Sequence, residues 1–208
     1  MSSLLLRGFA LGFAIAASPG PIFFLCVRRT LVRGRLYGLA SGLGVATADG
    51  MYGAIAVFGV TALTATFVSG RRPLALVGGL VLVALGVRIL VDKQSGTDNA
   101  PPSWKRGLIS AYLSTVGLTI TNPATILSFA ALAATLGLGA NGGFARPASV
   151  VAGVLLGSAA WWCLLVAATS ILRKRLTPNL VRVISAFSGF VIIILGSAAV
   201  ISSILGAI

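Results

Sequence analysis

Asp49 is the residue whose type and position most clearly suggest chemistry. The chain has three acidic residues, and Asp49 alone lies within a long apolar stretch, in the segment Ala46-Thr-Ala-Asp-Gly-Met-Tyr52. If that stretch crosses a membrane, a charge at its centre costs about 2.5–3.5 kcal/mol on insertion scales, and such residues are functional by default. We expect Asp49 to bind a substrate cation or exchange a proton, with Tyr52 nearly one helical turn away as a hydrogen-bond partner. The alternative is a protonated or arginine-paired Asp49 with a structural role.

Prolines interrupt two of the apolar stretches, in Pro19-Gly-Pro21 and in Asn122-Pro123. A proline inside a helix costs about 3 kcal/mol, because it removes a backbone hydrogen bond and clashes with the preceding turn. Asn is a preferred N-cap and Pro a preferred first helical residue, so new helices are predicted at Asn122-Pro123 and at Gly20-Pro21 or Ser18-Pro19. Their unpaired N–H groups and partial positive charge suit an anionic group such as an amino-acid carboxylate. A simple kink is the alternative.

The predicted substrate-binding residues are those of the two breaks and of the acidic segment: Ser18, Pro19, Gly20, Pro21, Asp49, Tyr52, Asn122 and Pro123. No catalytic or metal-ligating set accompanies them. The chain has no histidine, and its two cysteines, Cys26 and Cys163, are far apart and form no C-x-x-C pair. We therefore predict no catalytic residue, no metal site and no cofactor, and a protein that is not an enzyme.

The composition indicates an integral membrane protein. Of 208 residues, 57% are hydrophobic and 9% are charged, against roughly 25% charged in a soluble domain. The net charge of +13 would also suit a protein that binds nucleic acid. However, the basic residues form short clusters between apolar runs, as in the loops of membrane proteins. We expect the lipid bilayer as a partner and no nucleic acid.

Six membrane-spanning helices are predicted from the apolar runs, and five are the alternative. The spans cover residues 4–27, 37–67, 74–91, 108–136, 148–172 and 183–205, with the first loop at Arg28–Leu36. With six spans, the odd-numbered loops carry twelve basic residues and the opposite side four. By the positive-inside rule, both termini then lie outside the cytoplasm.

The interrupted spans are the first and the fourth, which begin two halves of three spans each. Because three is odd, the halves would face opposite ways across the membrane. We predict an all-α fold of two inverted three-helix repeats in a single transporter domain, 1–208. Repeat 1 covers about 1–91, a cytoplasmic linker about 92–106 and repeat 2 about 107–208. Paired broken helices in inverted halves are typical of secondary transporters with a substrate site near the midplane.

A stripe of small residues runs along the second span at four-residue spacing. It comprises Gly34, Gly38, Gly42, Ala46, Gly50 and Ala54. Small residues let another helix approach closely, either within the subunit or across a homodimer. Asp49 lies beside this stripe, so we expect its side chain to face protein and not lipid.

Several of these segments together resemble the lysine exporter / homoserine–threonine exporter family of amino-acid efflux transporters. The similarity includes Pro19-Gly-Pro21, Gly42-Leu-Gly-Val-Ala-Thr-Ala-Asp49, Asn122-Pro123 and Gly157-Ser158 before Trp161-Trp162. The resemblance implies a small protein of the bacterial inner membrane that exports amino acids, driven by a proton or ion gradient, with homo-oligomers plausible.

Two other functions stay open at this stage. One is export of a divalent metal ion, although one carboxylate without histidine makes a poor site for such a cation. The other is transmembrane electron transfer by thiols, for which Cys26 and Cys163 would have to meet. Neither cysteine lies beside the predicted helix breaks.

Overall fold

The computed structural model describes residues 2–58, 70–91, 104–136, 145–173 and 175–205. These residues form eight α-helices and no strand. The helices are α1 (Ser2–Ala16), α2 (Pro21–Arg33), α3 (Arg35–Val57), α4 (Arg71–Val91), α5 (Trp104–Ile120), α6 (Pro123–Leu136), α7 (Ala145–Arg173) and α8 (Pro178–Leu205). The predicted all-α fold is confirmed.

Three of the described helices are long and apolar enough to cross a membrane, namely α4, α7 and α8. A fourth span results if α1 and α2 are counted as one helix bent by 81°. Large apolar side chains such as Leu164 on α7 and Phe190 on α8 are exposed on the outer surface, as lipid contact requires. The chain is a multi-pass membrane protein. The count of six spans stays a prediction, since residues 59–67 of the second predicted span lie outside the described residues.

Both predicted helix breaks are present. Helix α1 ends at Ala16 and α2 begins at Pro21, while α5 ends at Ile120 and α6 begins at Pro123. Each new helix therefore has proline in its first position, where the missing N–H costs nothing. At the first break the helix start is Gly20-Pro21 and not Ser18-Pro19.

The predicted loop at Arg28–Leu36 is wrong. Helix α2 continues to Arg33, and a single residue, Gly34, separates it from α3. Gly34 has φ 98°, in the left-handed region that favours glycine. A helix that restarts at Pro21 has only seven residues up to Val27, about 10 Å at 1.5 Å per residue. It therefore reaches the end of the bundle only by including the arginines that follow. The predicted linker, 92–106, lies mostly outside the described residues, and its last three residues begin α5.

Glycines set the closest helix contacts. Helices α1 and α7 run parallel, with Gly8 and Gly12 against the α7 backbone. A Cβ atom on Gly12 would lie 2.6 Å from the Cα of Val154, and Gly157 on α7 is equally close to α1. Helices α4 and α8 run antiparallel, and a Cβ on Gly79 would lie 2.7 Å from the carbonyl oxygen of Gly196. Such backbone-to-backbone packing is typical of small-residue motifs in membranes.

The small-residue stripe of α3 packs within the chain. A Cβ on Gly42 would lie 2.6 Å from the Cβ of Trp162, and one on Gly50 would lie 3.0 Å from Leu155, both on α7. From Gly42 to Gly50 the residue number rises along α3, while that of the contacting residue on α7 falls from 162 to 155. These two helices are therefore antiparallel. In contrast, α3 runs parallel to α5, since Tyr37 lies against Gly107 and Tyr52 against Ile120.

Candidate substrate site

Asp49 is buried between α3 and α7. Its side chain is only 2% exposed, and its Oδ2 accepts a 2.6 Å hydrogen bond from the hydroxyl of Ser158. The adjacent Gly50 brings the two helices close enough for this short bond. The prediction that Asp49 faces protein is confirmed. Its other oxygen, Oδ1, makes no hydrogen bond within the described residues and is left to accept one from a ligand.

Tyr52 connects α3 to both sides of the second helix break. Its hydroxyl donates a 2.6 Å hydrogen bond to the carbonyl oxygen of Ile120, the last residue of α5. Its ring stacks on Phe129 of α6, with ring centroids 5.7 Å apart. The bond to Ile120 uses the single proton of the phenol, so Tyr52 does not donate to Asp49 as helical spacing suggested.

The two helix starts differ in how their N–H groups are satisfied. At the start of α6, Oδ1 of Asn122 accepts a 3.1 Å hydrogen bond from the N–H of Ala124, which is the predicted N-cap. At the start of α2, Gly20 takes the cap position and no side chain caps the helix. The N–H groups of Ile22 and Phe23 therefore have no side-chain acceptor, and the start of α2 is the more open of the two to an anion.

Two tryptophans of α7 pack against residues on both sides of the first break. Trp161 and Trp162 follow Ser158 by about one turn of α7. Trp161 contacts Phe13 in the last turns of α1, edge to face at 5.4 Å. Trp162 is only 4% exposed and packs on Gly42. The indole N–H groups of both are buried and have no hydrogen-bond partner among the residues that the structure describes. Because buried donors are nearly always paired, these two groups are suited to a ligand or a water.

Arg28 and Arg29, which the sequence predicts in a loop, lie inside the helix bundle. The Nε of Arg28 donates to Ser185 of α8 at 2.8 Å. The guanidinium of Arg29 donates to Ser41 of α3 at 2.8 Å and, on α5, to the carbonyl oxygen of Ala111 at 3.0 Å and the hydroxyl of Ser114 at 2.9 Å. The apolar part of α2 is short, from Pro21 to Val27. This shortness is the sequence signal for a helix that continues through the two arginines. Without these two residues, the odd-numbered loops carry ten basic residues and the opposite side four, so the charge asymmetry remains.

Among the described residues, no group of three or more His, Cys, Asp or Glu side chains could hold a metal ion. Both cysteines are free thiols. Cys26 is buried in the core, whereas Cys163 is exposed on α7. This arrangement gives no support to a thiol pair.

A bundle of apolar helices, with two helix breaks at proline and a buried carboxylate, is the architecture of a multi-pass membrane protein. The family model described as LysE type translocator matches residues 13–203, and the chain belongs to this family. The resemblance noted in the sequence is thereby confirmed.

Three relatives are similar to the chain. It is 25% identical over 202 residues to the "Putative amino acid efflux protein YcgF" of Bacillus subtilis, covering 93% of each chain. It is 28% identical over 200 residues to the "Chemotactic transduction protein ChpE" of Pseudomonas aeruginosa, covering 95% of this chain and 97% of the relative. The "Uncharacterized membrane protein YahN" of Escherichia coli is 30% identical over 121 residues, covering 54% of this chain and 51% of the relative. No solved structure matches the chain.

Proposed function

We propose that this protein is a secondary active exporter of amino acids across the bacterial inner membrane, coupled to the proton or ion gradient. The observation that carries the proposal is the position of Asp49. Its buried carboxylate lies on α3, which contacts both helix breaks. Trp162 packs on Gly42 and shares a core cluster with Ala16 and Ile22 at the first break, and Tyr52 bonds to Ile120 at the second. The membership of the LysE type family and the name of the Bacillus relative support the same class of cargo.

In this proposal the amino acid binds through its two charged groups. The α-ammonium group pairs with Oδ1 of Asp49, which the bond from Ser158 leaves unused. The carboxylate binds at the start of α2, in the segment from Ser18 to Pro21, where the helix dipole and the uncapped N–H groups favour an anion. The indole N–H of Trp162 is a further donor. Asn122 and Pro123 keep the second break rigid and, through Ile120, in contact with Tyr52.

The proposal includes two inverted halves, with α1–α4 corresponding to α5–α8. In such an arrangement the contact between α1 and α7 corresponds to that between α5 and α3, and both pairs are parallel. The pairs α3/α7 and α4/α8 each relate equivalent helices, and both are antiparallel. Rocking of one half against the other would then expose Asp49 to each side in turn. The distribution of basic residues supports an orientation with both termini outside the cytoplasm.

Transport by purified protein in lipid vesicles tests the proposal. A panel of labelled amino acids is measured with and without a pH gradient, using wild type and Asp49→Asn. The asparagine side chain keeps the size of the acid and an oxygen that can accept from Ser158, so the variant should fold. We expect selective, gradient-dependent transport by wild type and at least a tenfold loss in the variant. Equal rates and equal pH dependence would refute the role of Asp49, and failure of folded wild type to move any amino acid would refute the function.

A further inference from the structure

Arg29 is a charged group whose hydrogen bonds within the described residues all end on neutral acceptors. It lies on α2, and its guanidinium joins that helix to Ser41 on α3 and to Ala111 and Ser114 on α5. Its side chain is half-buried. Two hydroxyls and one carbonyl satisfy part of its hydrogen-bonding capacity and do not neutralise its charge.

The three hydrogen bonds of Arg29 do not use all of its donors. A guanidinium has five N–H donors. Both Nη1 donors and one Nη2 donor are engaged by the three bonds, which leaves the Nε–H and the second Nη2–H without an acceptor in the described part of the chain. Arginine binds carboxylates through charge-assisted hydrogen bonds, so the remaining donors suit a carboxylate.

No acid in the described residues balances this charge. Asp49 is the one acidic residue they contain. Ser41, which holds Arg29, precedes Asp49 by eight residues on the same helix, or about 12 Å along its axis. The nearest charged neighbours on α2 are the cations Arg28 and Arg33. A partly buried positive charge with only neutral partners favours an anionic ligand.

We propose that Arg29, with Ser41 and Ser114, binds the carboxylate of the transported amino acid at a second position on its path. This inference rests on the proposed function. Ser41, which accepts from Arg29, lies about 12 Å along α3 from Asp49, too far for the adjacent charged groups of one amino acid to reach both positions. The Arg29 site therefore binds the substrate before it reaches Asp49 or after it leaves. Helix α2 links the two carboxylate positions, one at its start and one near its end.

The test compares an amino acid with its primary amide, which lacks the carboxylate. The vesicles contain only phosphatidylcholine, so that no anionic lipid headgroup is present. For Arg29→Gln we expect KM for the amino acid to rise roughly 10- to 100-fold, the range of a lost charge-assisted bond, with the KM of the amide unchanged. Arg29→Lys should recover part of the affinity. Arg35→Gln, an exposed arginine at the same end of α3, is the matched control and should behave like wild type.

A purely structural role for Arg29 would change transport of the amino acid and of the amide equally, and that result would overturn the inference. So would an effect that appears only when phosphatidylglycerol is added, since the ligand would then be a lipid.

If wild type moves no amino acid, the proposed function fails. The inference about Arg29 is then tested by the binding of acetate alone. Sodium acetate should raise the unfolding temperature of purified wild type above that in sodium chloride, and not that of Arg29→Gln. Equal shifts, or none in wild type, would overturn it.

Discussion

The hydroxyl of Ser158 donates a 2.6 Å hydrogen bond to the carboxylate of Asp49, although the two residues are 109 positions apart. The bond joins α3 to α7, which the inverted arrangement would make equivalent helices. It is short because Gly42 and Gly50 let these helices approach closely. The same bond orients one carboxylate oxygen and does not use the other.

Removal of the Ser158 hydroxyl should destabilise the protein through Asp49. In Ser158→Ala the buried carboxylate loses its donor, at a cost of about 1–3 kcal/mol. The double variant Asp49→Asn/Ser158→Ala should be less destabilised than the sum of the single variants, because no buried charge remains. Urea unfolding of detergent-solubilised protein measures all four. Additive effects would mean that the bond contributes nothing to stability.

The contact between α1 and α7 should tolerate no side chain at Gly12. A Cβ there would lie 2.6 Å from the Cα of Val154, and backbone cannot rotate away as a side chain can. We expect Gly12→Ala to lower the unfolding free energy by about 1–3 kcal/mol, as overpacking does. Gly117→Ala on α5 is the matched control, because nothing lies within 4 Å of its Cβ position.

Thermal unfolding of the two alanine variants, side by side, measures the difference. Gly117→Ala should be neutral or slightly stabilising, since alanine has the higher helix propensity. Equal melting temperatures for the two variants would show that the close approach of α1 and α7 is not required.

The second helix break should loosen when Tyr52 loses its hydroxyl. Tyr52→Phe keeps the stacking on Phe129 and removes the bond to Ile120, for an expected loss of about 1 kcal/mol. Tyr52→Ala removes both contacts and should cost about 3 kcal/mol or more. Hydrogen exchange localises the effect, with faster exchange expected at the end of α5 and the start of α6 in Tyr52→Phe. Unchanged exchange there would argue against the assigned contact.

The sequence alone determined the class of fold and the positions of the breaks. Prolines, the Asn122 cap and the apolar runs act over a few residues, so the end of α5 and the start of α6 follow from local rules. The burial of Asp49 also followed, because a lone acid beside a stripe of small residues must face another helix.

The tertiary structure decided which residues meet. The pairing of Asp49 with Ser158, of Tyr52 with Ile120 and of Arg29 with Ser114 joins helices that are distant in sequence. No local propensity predicts such pairs, since they depend on where packed helices cross. Arg29 shows the difference most clearly. Its sequence neighbourhood predicts a loop charge, whereas the continuation of α2 into the bundle brings its guanidinium to the hydroxyl groups of Ser41 and Ser114.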